Sequence, residues 1–164
     1  MTYPQNLIIR PAEPDDCQSL FTLIQGLAEY EKLSHAVTGN PQTLKEHLFG
    51  SPKYAEAILA ELDQQAVGFA LFFHNYSTFL TKPGIYLEDL FVLPEFRRQG
   101  IGTALLTKLA KIAVERDCGR LEWSVLDWNV SAQTFYRNMG ATILEDWRIC
   151  RVTSNALTDL AAKS

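Results

Sequence analysis

The residues best suited to chemistry form one loop: Arg97-Arg98-Gln99-Gly100-Ile101-Gly102-Thr103. It follows an apolar run ending at Pro94 and opens a helical pattern with Ile101, Leu105, Leu109 and Ile112 inward. Lys108, Lys111 and Glu115 lie on the opposite side. Free backbone N–H groups at a helix start, together with the helix dipole, attract an anion. Glycine puts no Cβ between backbone and phosphate, and two arginines can add charge-assisted hydrogen bonds at the rim. The loop therefore suits a pyrophosphate, although a tight turn beside a solvated Arg-Arg pair uses the same residues. No Gly-Lys-Ser/Thr follows, which excludes a nucleotide P-loop. A third glycine and an early strand are missing, which excludes a dinucleotide fingerprint.

Two other places carry groups that can move protons. Glu88 and Asp89 interrupt the apolar run Ile85 to Leu93. Strand side chains alternate, so these two carboxylates are expected on opposite faces, only one of them in any given site. A buried carboxylate needs a partner, so a structural ion pair competes with a functional role. Tyr136 sits in the stripe Ala132, Phe135, Tyr136 and Met139, a spacing that favours core packing. A phenol with a pKa of about 10 can also donate a proton to a thiolate at neutral pH. Tyr30-Glu31, taken alone, is a polar helix exit. His35, His47 and His74 have no metal-ligand spacing. Cys17, Cys118 and Cys150 form neither a CxxC nor a Cys/His cluster, so no zinc site or disulfide framework is expected.

The elements that must position these groups follow from periodicity and punctuation. Leu7 to Arg10 reads as a short strand closed by Pro11-Ala12-Glu13-Pro14. Asp15 with Gln18 resembles a capping box, and Cys17, Leu20, Phe21, Ile24, Leu27 and Ala28 give a helix to about Glu29. Asn40-Pro41 starts a second helix to about Phe49. Tyr54 to Leu62 and Ala66 to Tyr76 form a hairpin around Asp63-Gln64-Gln65, and Ile85 to Leu93 is a further strand. The long helix from Gly100 stops at Gly119, Leu121 to Val125 is a strand, and Asn129 caps a helix to Asn138. Ile143-Leu144 and Trp147 to Val152 are expected to complete the sheet. This order predicts an α/β fold, a mixed sheet with helices packed on it.

With 164 residues, 47% hydrophobic and 21% charged, the chain reads as one soluble globular domain spanning 1–164. A net charge of −4 argues against nucleic acid as partner and is compatible with a cationic substrate. The N-terminal stretch has no apolar region behind a basic start, and no apolar run approaches the ~20 residues that span a bilayer. A cytoplasmic protein with no membrane partner is expected.

Arg97-x-x-Gly100-x-Gly102, placed after Val92-Leu93-Pro94, resembles the acetyl-CoA motif of the GNAT superfamily of N-acetyltransferases. Trp128-Asn129-x-x-Ala132-x-x-Phe135-Tyr136-x-x-x-Gly140-Ala141 resembles that family's second conserved region. Ile9-Arg10-Pro11-Ala12, Leu27 to Ser34, Tyr86-Leu87-Glu88-Asp89 and Val125 to Asn129 are similar to the diamine acetyltransferases. These include the spermidine/spermine enzymes and their thialysine-acetylating relatives. Glu31-Lys32-Leu33-Ser34 and Leu126-Asp127-Trp128-Asn129 look closer to the thialysine branch. The family's Glu-Glu-Gly-Trp stretch is shortened here to Glu145-Asp146-Trp147.

The resemblance implies the GNAT fold, a mainly antiparallel sheet with helices on both faces. It implies acetyl-CoA as co-substrate, no metal, a homodimer, and direct sequential transfer to a polyamine, diamine or thialysine-like amine. A protein N-terminus or lysine is the runner-up acceptor, and a non-catalytic acyl-CoA-binding module is the reading from another class. No cysteine lies in the two motif regions, so an acetyl-cysteine intermediate has little support. By resemblance, backbone at Leu90, Phe91 and Val92 pairs with the pantetheine arm. Arg97, Arg98, Gln99, Gly100, Ile101, Gly102 and Thr103 hold the pyrophosphate, and Asn129, Val130, Ser131, Ala132 and Tyr136 also contact CoA. Tyr136 is then the catalytic acid, and Glu88 holds the amine or takes its proton. Tyr30, Glu31, Glu122, Trp123 and Ser124 line the amine pocket.

Overall fold

A computed structural model describes residues 3–163. Its sheet has strands β1 (Leu7–Pro11), β2 (Glu56–Leu62), β3 (Gln65–Ser77), β4 (Lys82–Val92) and β5 (Leu121–Glu122), side by side in that order. The first four run antiparallel, and β5 lies parallel to β4. Helices α1 (Cys17–Tyr30) and α2 (Pro41–Phe49) precede β2 in the chain, and α3 (Ile101–Glu115) joins β4 to β5. The chain divides into two compact units, Met1–Ser124 and Val125–Ser164. All five strands and these three helices belong to the first.

Apolar spacing makes the helices and decides which side each buries. On one face of the sheet, Leu20 and Leu23 of α1 and Leu48 of α2 pack with Leu59, Phe69 and Phe91. The α3 stripe Ile101, Leu105 and Leu109 is almost fully buried, and α3 packs on β1 to β4. Phe72, which follows the Phe69 phase by an odd number of residues, lies beneath Arg116 at the end of α3. The mixed, mainly antiparallel sheet with helices on both faces is thus present. Asn40 caps α2 by accepting from the Thr43 N–H at 2.9 Å, as the Asn-Pro pair predicted.

The entry to α1 is set by charge. Arg10 on β1 donates to both carboxylate oxygens of Asp16, at 2.7 and 2.9 Å, and to Glu61 on β2 at 2.9 Å. Asp16 also accepts from the Glu13 N–H at 2.7 Å. These bonds hold the Asp16 carboxyl below the usual carboxylate range, the Arg10 hydrogen bond contributing most.

Two expectations need correction. The strand expected at Leu121 to Val125 pairs only through Leu121 and Glu122. Ile143-Leu144 and Trp147 to Val152 form no strand among the described residues. Ile143-Leu144 is cut short by a turn in which the Trp147 N–H reaches the Leu144 carbonyl at 3.4 Å. Past it, Arg148 and Arg151 interrupt the apolar alternation, and no ladder partner among the described residues satisfies the backbone. The second unit is instead helical, with α4 (Val130–Asn138) and an unforeseen α5 (Ser154–Ala161). No helix among the described residues is long and apolar enough to cross a membrane.

The Arg10 cluster yields the first prediction. Asp16→Asn is expected to lower stability by about 2 kcal/mol at neutral pH, since it weakens charge-assisted bonds. A carboxylate with a depressed native pKa stabilises above its unfolded value, and that contribution is lost as pH falls through the native value. The gap between variant and wild type should therefore close in strong acid. Urea unfolding across pH measures it; a gap independent of pH would contradict this reading.

Candidate active site

The central feature is a bulge. Leu71 of β3 opposes Asp89, but the next residue, Phe72, opposes Leu87, so Glu88 has no partner across the ladder. One inserted residue resets the alternation of β4. Phe91, on the α1 side, has its ring 3.1 Å from the position a Cβ would take on Gly26 of α1. Asp89, two residues earlier, shares that side, as does Tyr86, which opposes Phe73 beyond the bulge.

Glu31 immediately follows α1, beside this same stretch of β4. Burial, then the nearby charges of Glu88 and Glu31, push the Asp89 carboxyl up to about 6. Burial alone raises that of Glu31. Glu88 is exposed on the bulge. Asp89 therefore lies within electrostatic reach of both Glu88 and Glu31. No ion pair neutralises any of them among the described residues. Counted from Tyr86, plain alternation would send Asp89 to the opposite face. Only the bulge brings it round, and no residue preference marks a bulge there in advance.

Further down this face, the Tyr86 and Ser124 hydroxyls lie 2.8 Å apart, and the Tyr86 ring packs on Phe73 with centroids 5.3 Å apart. Glu122 accepts from Asn75 at 2.8 Å and pairs with Arg120 at 2.8 Å. Its carboxylate is thus already held by protein groups. Trp123 is half-buried. Tyr86 and Asn75 are additions that the sequence reading passed over. Their signal, polar atoms inside a strand pattern, is weak because strand tyrosines are common.

At the end of β4, Leu90, Phe91 and Val92 pair with Ala70, Phe69 and Gly68. The ladder to β5 stops at Tyr86, so among the described residues no strand covers the other edge from Leu87 to Val92. Those backbone groups can receive an extended ligand arm. Gly100 then caps α3 with φ of 81°, in the left-handed region. A side chain there would also meet the Tyr3 ring, 3.0 Å from the Cβ position. Ile101, Gly102 and Thr103 form the first turn, whose N–H groups precede the first helical bond, from the Ala104 N–H to the Gly100 carbonyl at 2.9 Å.

This arrangement fits a diphosphate. Arg98 and Gln99 are exposed beside it, whereas Arg97 is turned inward. The Arg97 Nε donates to the Val92 carbonyl at 2.9 Å, and its guanidinium carbon lies 4.4 Å from the centre of the Tyr30 ring. Arg97 therefore ties the loop to the exit of α1, next to Glu31.

In the second unit, the Asn129 side chain accepts from the Ala132 N–H at 3.2 Å, capping α4. Gln133 ties the preceding loop by donating to the Asp127 carbonyl at 2.8 Å. Val130, Ser131 and Ala132 form the first helical turn. Tyr136 is buried, with its ring centroid 5.3 Å from that of Phe135.

Over 96% of its length the chain is 38% identical to the thialysine N-epsilon-acetyltransferase of Bos taurus, covering 98% of that enzyme. It is 34% identical to an L-ornithine N5-acetyltransferase of Arabidopsis thaliana, over 91% of this chain and 85% of that one. Among solved structures, an integron cassette protein from the mobile metagenome of V. cholerae superposes with a TM-score of 0.82 at 26% identity, covering 98% of this chain and 100% of that one. Residues 23–141 match the acetyltransferase (GNAT) family. With an open β4 edge leading to a glycine-capped helix, and with relatives matched along nearly its whole length, this chain belongs to the GNAT family of acetyltransferases.

Proposed function

We propose that this protein moves the acetyl group of acetyl-CoA onto a primary amine of a small cationic acceptor: a polyamine, a diamine or a thialysine-like amino acid. One observation carries the reading. Half-buried Asp89 feels the charges of Glu31 and of the exposed Glu88, no ion pair neutralises them among the described residues, and half-burying unpaired negative charge is costly unless a cation completes the site. The names of the relatives, which act on thialysine and ornithine, point the same way.

A primary amine has a pKa of about 10 and arrives protonated. The carboxylates attract it, and Asp89, whose carboxyl burial pushes up to about 6, accepts the proton that frees its lone pair. Glu88 and Glu31 hold the remaining positive charge, and Tyr30, Tyr86, Trp123 and Ser124 flank the acceptor chain. The neutral nitrogen attacks the thioester carbonyl carbon, and the carbon–sulfur bond breaks. Tyr136 gives its hydroxyl proton to the departing thiolate. The diphosphate rests on the first turn of α3 with Arg98 at its rim, Asn129 to Ala132 supply further CoA contacts, and the free β4 edge takes the extended arm. The transfer uses no metal.

We read the chain as one catalytic domain, since the family match runs through both compact units. We also read it as a homodimer, as the family resemblance implies, and as cytoplasmic, from a sequence with no signal-peptide pattern or membrane-length apolar run.

Two substitutions test the chemistry. Asp89→Asn should cut kcat/KM for diamines by about a hundredfold, the usual scale for a lost general base. The effect should be smaller for monoamines with an uncharged tail. The same change should stabilise the fold. With its native pKa above the unfolded 3.8, Asp89 destabilises progressively as pH rises from about 4 to about 6, so Asn gains up to about 3 kcal/mol above that window. Unchanged kinetics with raised stability would leave Asp89 structural and sink the cation-site reading. Tyr136→Phe retains the ring and removes only the proton, so kcat should fall by about a hundredfold while KM for acetyl-CoA moves little. Full turnover in that variant would return Tyr136 to core packing.

A further inference from the structure

We propose that Glu122 is a positioning residue. With Asn75 and Arg120 it forms a polar clasp over Gly84 that fixes where β4 and β5 part. The backbone ladder between these strands is two residues long, Ile85 with Leu121 and Tyr86 with Glu122, and a parallel ladder this short holds weakly. Where it ends, side chains take over. One Glu122 oxygen accepts from Asn75 Nδ2 on β3 at 2.8 Å and from Arg120 Nε at 2.8 Å. Two residues on, the Ser124 and Tyr86 hydroxyls meet at 2.8 Å.

The contact from β3 has to pass over β4, and it does so at Gly84, the residue opposite Asn75. A Cβ on Gly84 would collide with Asn75 Oδ1 and come within 3.1 Å of Arg120 Cγ. The glycine is the gap through which the clasp closes. The arrangement also carries a cost, because Asn75 Oδ1 is buried with no hydrogen-bond partner. An ordinary surface ion pair between Arg120 and Glu122 would need neither the glycine nor the orphaned oxygen. Beneath the clasp lie the backbone bonds it protects: the Ile85 N–H to the Arg120 carbonyl at 3.0 Å and the Gly119 N–H to the Pro83 carbonyl at 2.8 Å. By pinning β5 here, where the backbone ladder ends, the clasp keeps the β4 edge from Leu87 to Val92 open. It therefore acts on the thioester arm rather than on the amine. This consequence rests on the acetyl-CoA reading, whereas the clasp itself does not.

Amide hydrogen exchange and CoA calorimetry on Glu122→Ala, Glu122→Gln and Gly84→Ala test the proposal. Glu122→Ala and Gly84→Ala should each speed exchange at the Ile85 amide and weaken CoA binding, both by about tenfold, or 1.4 kcal/mol. Gln accepts the same two hydrogen bonds, so Glu122→Gln should recover most of both losses. Suppose instead that Glu122→Ala leaves Ile85 exchange and CoA affinity at wild-type values and raises only the KM of the amine. Glu122 would then be a contact to the acceptor, and the clasp would be refuted. A Glu122→Gln variant as fast-exchanging as Glu122→Ala would refute it too, since charge rather than geometry would be responsible. If wild-type protein fails to bind CoA, the acetyl-CoA reading falls, while the exchange contrast still decides the clasp.

Discussion

One extra residue in β4 governs the rest of the candidate site. Counted from Tyr86, period-two alternation would set Asp89 and Phe91 on the α3 side of the sheet, away from Glu31. The unpaired Glu88 breaks that phase, and both Asp89 and Phe91 then face α1. Phe91 fills the core under α1, so the phase is enforced by burial of a large aromatic side chain, worth roughly 3 kcal/mol or more on truncation. The acidic cluster thus exists because a packing requirement two residues away holds it in register. An apolar contact sets the position of a charge.

A second constraint acts on the same strand from its other edge. Backbone N–H and C=O groups need partners, and β4 satisfies one row through β3 along most of its length. The other row is covered by β5 only at its start. Beyond that, no strand among the described residues covers β4 up to the turn that enters α3, where the first-turn N–H groups have no intrahelical partner. An open strand edge and an open helix start follow each other along one continuous stretch of chain. Such a sequence of unmet donors and acceptors suits an elongated ligand with an amide-bearing arm and an anionic end. Arg97 braces the junction by bonding Val92 on β4 and stacking on Tyr30. The loop and the acidic cluster are therefore mechanically linked.

Much of this was legible in the residues themselves. Helices α1 to α4 follow from apolar stripes and from caps such as Asn40 and Asn129, because helix formation is decided locally. The glycine-capped helix start was legible for the same reason. Strand pairing is non-local, and here the reading ran out. Nothing in Leu121 to Val125 indicates that the ladder ends at Glu122, since that depends on where β4 and β5 diverge. Ile143 to Val152 has strand-like residues, yet no described partner completes a ladder for it, while Ser154–Ala161 forms a helix that its few apolar residues did not announce. Among site residues, Glu31 and Glu88 were found by resemblance. Alternation puts Glu88 and Asp89 on opposite faces, a sound rule that the bulge at Glu88 overrides. Glu122 was read as lining the amine pocket, and the structure shows its carboxylate engaged with Asn75 and Arg120.

The central claim is that the Glu31, Glu88 and Asp89 cluster is held short of a positive charge that an amine supplies. It is tested most directly by following the Asp89 carboxyl carbon by NMR through a pH titration, with and without a saturating diamine. Without amine the carboxyl should titrate near 6, and bound amine should draw that midpoint down toward the ordinary carboxylate range, because a nearby cation favours the charged form. A midpoint at the ordinary value in free protein, unmoved by the diamine, would contradict the account.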